Sequence, residues 1–168
     1  MRAFFFIFAA AMIKRAIIGL GSNLGDRAGH LARAIMRMAE RVGSIERCSR
    51  VTETTAWGFD APPFLNQSLV LRTYLTPLEL LDELQAIERE LGRTTKTRIE
   101  HGAAVYSSRT IDLDILDYDG MIYHDERLTL PHPHIPERDF VRAELAELGV
   151  RIVEDRPGEA FHLEHDNF

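Results

Sequence analysis

Apolar residues recur with two different periods along this chain, and each change of period marks an element. Arg15 to Leu20 (RAIIGL) is almost continuously apolar and predicts a buried first strand. Gly21-Ser22-Asn23-Leu24-Gly25-Asp26 closes it. Gly21 and Gly25 there permit unusual backbone angles in a tight strand-to-helix turn. Asp26 is a candidate N-cap for a helix whose apolar face is Leu31, Ala34, Ile35, Met38 and Val42, with Gly43 ending it. Ile45 to Thr55 predicts a second strand and Leu65 to Tyr74 a third. Thr76-Pro77-Leu78-Glu79 opens the next helix with an N-cap, a proline at the first helical position and a capping box. Its stripe is Leu80, Leu81, Leu84, Ile87 and Leu91, and Gly92 stops it. Ile111 to Leu116 (IDLDIL) alternates with the period of a strand. Asp119-Gly120 is a turn and Met121 to Tyr123 a short strand. A last helix opens at Glu137-Arg138-Asp139, with Val141, Leu145 and Leu148 on one face. The order β-α-β-β-α-β with short additions predicts an α+β fold: a ferredoxin-like sandwich with helices packed on a mainly antiparallel sheet.

Composition narrows the picture. A length of 168 residues, 45% of them hydrophobic and 27% charged, fits one globular domain with a real core. A formal charge of −6 argues against general nucleic-acid binding, which favours a basic domain. The single cysteine, Cys48, has no internal disulfide partner and fits a reducing compartment. Residues 3–13 form an apolar run behind Arg2, too short to span a membrane and without a clear cleavage site. The expected organisation is an N-terminal extension at 1–13, with Met12 as a candidate start, one domain at 14–150, and a weakly patterned tail at 151–168. A cytoplasmic monomer without nucleic-acid or membrane partners is expected.

The chemistry gathers between Gly92 and Leu116. Asp112 and Asp114, two apart on a strand, project to one face with Cα atoms roughly 6–7 Å apart. Two convergent carboxylates on a rigid strand can hold one or two Mg²⁺ ions, which clamp a polyphosphate during in-line displacement. They can equally be the solvated face of a half-buried strand. The preceding segment carries Arg93, Lys96, Arg98 and Arg109 against Glu100 alone, a charge pattern suited to phosphoryl transfer. Trp57, Phe59 and Phe64 flank a proline pair, as core lids or as a stacking surface for a planar ligand. Asn66 can read the donor–acceptor edge of a ring or form a turn. Gln85 and Glu88 share a helix face and read, by themselves, as solvated. His132, between two prolines, can touch a phosphate or a metal, or mark a fixed loop. The Gly-Ser-Asn-Leu-Gly turn lacks the spacing and lysine of a P-loop, so its first role is structural.

Taken together and in order, the motifs GLGSNLGD (Gly19 to Asp26), WGF (Trp57 to Phe59), FLN (Phe64 to Asn66), IERELGR (Ile87 to Arg93), RTIDLDIL (Arg109 to Leu116) and PHPHIPERDF (Pro131 to Phe140) resemble the 6-hydroxymethyl-7,8-dihydropterin pyrophosphokinases. The resemblance runs from about Ile17 to Leu148. It implies transfer of a pyrophosphoryl group from ATP to the pterin hydroxymethyl on the folate pathway, by attack on the β-phosphorus. It further implies Asp112 and Asp114 as ligands of two Mg²⁺ ions, and Arg93 and Arg109 on the phosphates as catalytic residues. The pterin would meet Thr54, Thr55, Trp57, Phe64, Asn66 and Phe140. ATP would meet Gln85, Glu88, Arg93, Arg109, Ile111, His132 and Arg138.

This chain departs from the family pattern in its basic loop. Val105-Tyr106-Ser107-Ser108 stands before Arg109 where the family usually has Trp-Gly-Pro, the loop from Arg93 is longer, and Thr55-Ala56 replaces common prolines. Two rival expectations follow: a divergent paralogue acting on another pterin or small hydroxymethyl substrate, and a non-catalytic nucleotide- or metal-binding domain.

Overall fold

The computed structural model describes residues 12–56, 60–93, 98–100, 103–105 and 108–152. Trp57, Phe59, Lys96 and Tyr106 lie outside the described residues, as do 1–11 and 153–168.

Five strands form the main antiparallel sheet: β1 (Lys14–Ser22), β2 (Gly43–Cys48), β3 (Thr52–Thr54), β4 (Phe64–Thr73) and β7 (Asp112–Tyr118). Their order is β2-β4-β1-β7, with β3 beside β4. Between β4 and β7 come a helix and a short hairpin of β5 (Arg98–Glu100) with β6 (Ala103–Val105). A second two-stranded piece, β8 (Tyr123–His124) with β9 (Thr129–Leu130), follows β7. The helices are α1 (Arg27–Arg41), α2 (Pro77–Glu90) and α3 (Asp139–Glu147). The main-sheet order is that of the expected ferredoxin-like fold. Among the described residues no helix is long and apolar enough to cross a membrane.

Strand alternation sorts the core into two layers. Ala16, Ile18 and Leu20 of β1, Leu69 and Leu71 of β4, and Leu113 and Ile115 of β7 join Leu31, Ala34 and Met38 of α1. Leu80, Leu81, Leu84 and Ile87 of α2 complete that layer. Ile17, Val70 and Leu116 face the other way and pack on Val141, Leu145 and Leu148. Helices therefore cover both sheet faces, with α3 alone on the second. Leu116 faces α3 by ordinary alternation after Ile115, and a bulge at Leu116, where β7 passes Ile17 and Ile18, returns Tyr118, two residues later, to the α1 and α2 side.

Most cap signals hold. Asp26 accepts from the Gly29 amide at 3.0 Å, and Thr76 with Glu79 forms the full capping box. Two details differ from the pattern. Gly43 does not end α1, which closes at Val42; it opens β2, where a Cβ would lie 1.9 Å from the Arg72 carbonyl oxygen. The single strand expected from Ile45 to Thr55 divides into β2 and β3 around Ser49, whose hydroxyl accepts from the Ser68 amide at 3.0 Å.

Candidate active site

β1 and β7 lie side by side with Gly19 opposite Asp114 and Gly21 opposite Asp112. On the α3 side, β1 therefore presents Ile17, then two residues without side chains. A Cβ on Gly19 would sit 3.3 Å from the Leu116 side chain, and one on Gly21 3.3 Å from Asn66 Oδ1. Gly21 is thus a clearance glycine within β1 rather than a residue of unusual φ; the left-handed angle falls at Gly25, with φ 65°. Above this low floor lies a cavity of ≈ 380 Å³.

One half of the cavity is walled by aromatic and neutral polar side chains. Phe64 and Asn66 of β4, Thr54 of β3, the following Thr55, and Phe140 with Val141 of α3 line it. Asn66, 6% exposed, donates from Nδ2 to Thr54 Oγ1 at 2.7 Å. Asn66 lies within β4 and not in a turn, with its amide held by the neighbouring strand's Thr54.

The other half is charged. Asp112 accepts from Arg93 Nη1 at 2.7 Å on Oδ1 and from Arg109 Nη1 at 2.8 Å on Oδ2. Asp114 Oδ2 lies 3.6 Å from Arg138 Nη1 and 3.8 Å from His132 Nε2. Burial pushes the Asp112 carboxyl upward, but the Arg109 and Arg93 guanidiniums outweigh it and hold the group below the usual carboxylate range. Asp114 goes the other way, raised by burial and then by the Asp112 charge. His132 is lowered by burial, against the pull of Asp114.

Glu88 is not the solvated helix residue its spacing suggested. It is 6% exposed on α2, contacts Arg93, and accepts from the Leu113 amide at 2.7 Å. That amide lies on the outer strand β7, so Glu88 covers part of an open sheet edge. Burial, then the charge of Asp112, pushes its carboxyl up to about 7.

The Gly-Ser-Asn-Leu-Gly turn has a structural task. Asn23 Oδ1 accepts from the Arg109 amide at 2.8 Å, and its Nδ2 donates to Ser108 Oγ at 3.1 Å. Buried Ser22 donates to the Thr110 carbonyl. The turn thereby pins the backbone that delivers Arg109.

Of the residues singled out by sequence, Thr54, Thr55, Phe64, Asn66, Gln85, Glu88, Arg93, Arg109, Asp112, Asp114, His132, Arg138 and Phe140 line this one cavity. Ile111 does not join them; it is fully buried in the layer under α1 and α2. Trp57 lies outside the described residues. Sequence reasoning missed Arg127, His134 and Glu144, which also line the cavity. Glu144 had a faint signal: it stands four residues after Phe140, on the same helix face.

Among the described residues no three His, Cys, Asp or Glu side chains gather closely enough to hold a metal by themselves. Asp112 and Asp114 are the pair that can carry a hard cation, with the remaining oxygen ligands coming from phosphate or water.

Comparisons with known proteins find relatives over most of the chain. A Porphyromonas gingivalis protein named 2-amino-4-hydroxy-6-hydroxymethyldihydropteridine pyrophosphokinase is 43% identical over 144 residues, covering 83% of this chain and 94% of that one. The Bacillus subtilis protein of the same name is 40% identical over 135 residues, covering 79% of this chain and 77% of its own. Among solved structures, Plasmodium falciparum HPPK-DHPS superposes with a TM-score of 0.62 at 14% identity, over 81% of this chain. This chain spans 41% of that longer protein, and the likeness is one of fold. Residues 17–150 match the sequence signature of 7,8-dihydro-6-hydroxymethylpterin-pyrophosphokinase, and the chain belongs to that family.

Proposed function

We propose that this protein transfers the pyrophosphoryl group of ATP to the hydroxymethyl oxygen of 6-hydroxymethyl-7,8-dihydropterin, a step of folate biosynthesis. The observation that carries the reading is one cavity joining a ring slot to a diacid flanked by three arginines. The ring stacks between Phe64 and Phe140, and Asn66 with Thr54 reads its edge. The hydroxymethyl oxygen then points toward the charged half. It forms a bond to the β-phosphorus of ATP, and the bond from that phosphorus to the α,β-bridging oxygen breaks. AMP leaves with the bridging oxygen, and the hydroxyl proton is released. Family membership supports this reaction over a divergent substrate or simple binding.

The donor set suits Mg²⁺, which takes one or two carboxylates and completes its shell from phosphate and water. The Asp112 charge raises the proton affinity of Asp114, a repulsion that a cation held by the two carboxylates would relieve. Asp112 and Asp114 would hold the two expected ions. When bound, Mg²⁺ neutralises the phosphate oxygens and favours in-line geometry. Arg93 and Arg109, beside that pair, would bind phosphate oxygens and meet the charge that develops on them. Gln85, Glu88, His132 and Arg138 flank the nucleotide, and Glu88 orients Arg93. Trp57 and Ile111 keep their proposed contacts only as part of the resemblance.

The reading extends to a single domain over 14–150 that works as a cytoplasmic monomer. The lone cysteine, which fits a reducing compartment, supports the location. The test is to incubate the protein with Mg²⁺, ATP and the pterin and to identify the nucleotide product. AMP formed in step with pterin diphosphate supports the reaction. ADP, or no pterin-dependent turnover, overturns it.

A further inference from the structure

β4 presents Phe64, Asn66, Ser68 and Val70 in succession toward α3, and β3 presents Thr52 and Thr54 beside them. Two polar rungs cross this surface roughly 6–7 Å apart. The first is Thr54 with Asn66, at 2.7 Å. The second is built on Glu144 of α3. Thr52 Oγ1 donates to Glu144 Oε1 at 3.1 Å, and Ser68 Oγ donates to Glu144 Oε2 at 2.6 Å. Glu144 is 2% exposed, and it also lines the cavity.

A carboxylate is an expensive choice for this position. Glu144 sits between Val141 and Leu145 on the face that α3 buries against the sheet. An apolar residue of similar size there is often neutral or stabilising relative to a buried charge. Leucine packing alone, however, lets a helix settle over a range of offsets, because apolar contacts are non-directional. Two hydrogen bonds from two different strands fix one offset. Phe140 lies one turn before Glu144, on the same side of α3, so that offset also sets where Phe140 stands in the cavity that Phe64 and Asn66 line with it.

We propose that Glu144 is a positioning residue of the ring slot: by tying α3 to Thr52 and Ser68 it holds Phe140 at stacking distance and in register with the Thr54–Asn66 pair. The inference rests on the pterin reading above and deepens it. Glu144 acts through α3 and Phe140 and need not touch the ring.

The test compares E144L, which fills the space without hydrogen bonds, with E144Q, whose amide keeps a partner for both hydroxyls. Pterin affinity is read by ligand fluorescence, together with KM for pterin, KM for ATP and Tm. E144L should weaken pterin binding by about tenfold and leave the KM for ATP within about twofold. E144Q should recover most of that loss. S68A, which removes one of the two bonds, should fall between them and serves if E144L does not fold. A folded E144L that binds pterin as the wild type does overturns the inference, because a purely structural role would move Tm alone. E144Q as weak as E144L also overturns it, since the charge would then act on the ring directly. Wild-type protein that neither binds pterin nor releases AMP overturns the functional reading itself, and this inference with it.

Discussion

Replacing Asp112 with alanine separates the charge chemistry of the cavity from its architecture. The wild-type carboxylate receives Arg93 at 2.7 Å and Arg109 at 2.8 Å, with its side chain 20% exposed. Breaking a fully buried ion pair by removing one partner costs about 3–5 kcal/mol. Two features reduce that figure here. Arg93 keeps its contact with Glu88, and both Asp114 and Glu88 lose a like charge that raises their pKa values. A net cost of about 1–3 kcal/mol follows, which lowers Tm by about 2–12 °C. A domain with about 5–15 kcal/mol of stability remains folded at room temperature after such a loss. Turnover should respond far more. A carboxylate that holds the phosphate-bound cation contributes only with that cation in place, and its removal should lower kcat by about 10³-fold or more, near 4 kcal/mol of barrier. AMP release at 25 °C, measured beside a thermal melt of the same preparation, reads both quantities. A cooperatively folded D112A that retains kcat within about tenfold of wild type would refute the assignment of Asp112 to the reacting phosphates.

Three further outcomes follow from the same geometry. G21V should raise the KM for pterin by about tenfold or more and hardly change that for ATP, because even a Cβ there lies 3.3 Å from Asn66 Oδ1 and 3.4 Å from Phe64; an unchanged pterin KM would remove Gly21 from the floor of the slot. T76A deletes one side of the capping box of α2; it should cost about 1 kcal/mol, or about 2–4 °C in Tm, with kcat unaltered, and a fall in kcat would contradict the placement of that helix end away from the chemistry. The Glu144 carboxyl is raised by burial, against the hydrogen bonds from Ser68 and Thr52. Its folded pKa then exceeds its unfolded one, so the native state binds the extra proton between the two values and stability contributed by this group falls as pH rises through that window. Urea midpoints from about pH 4 to 8 should therefore decline less, or rise more, for E144Q than for wild type, and parallel curves would show that the carboxyl titrates normally.

What was legible in the sequence, and what was not, divides along a physical line. Elements whose patterns are local could be read directly. The apolar run of β1, the capping box at Thr76 and the Asp26 N-cap need only near neighbours in the chain, and each is found where its pattern put it. The Asp112 and Asp114 pair was legible for the same reason, since a strand places residues two apart on one face. Features that depend on a distant partner were not legible. The apolar stripe of α3 says that the helix packs but not on which sheet face, and the structure sends it opposite α1 and α2. Ile45 to Thr55 carries no punctuation strong enough to show its break, which is fixed by Ser49 meeting Ser68 across β4. Glu88 looked solvated because its partners, the Leu113 amide and Arg93, lie outside its own helix.

The residues that defied local reading share a further property. Glu88 and Glu144 are charged-type side chains on otherwise apolar helix faces, buried to 6% and 2% exposure. Each costs stability relative to a leucine in the same place. Each also reaches a strand that carries part of the cavity: Glu88 reaches β7 beside Asp112 and Asp114, and Glu144 reaches β4 beside Asn66. The two helices are thereby tied to the sheet at the charged end and at the ring end of one cavity. In-line transfer tolerates displacements well below 1 Å. A site divided between a ring slot and a phosphate clamp has to keep the two ends at a fixed separation. Apolar packing supplies the stability of such a sandwich, and directional bonds at Glu88 and Glu144 supply that separation.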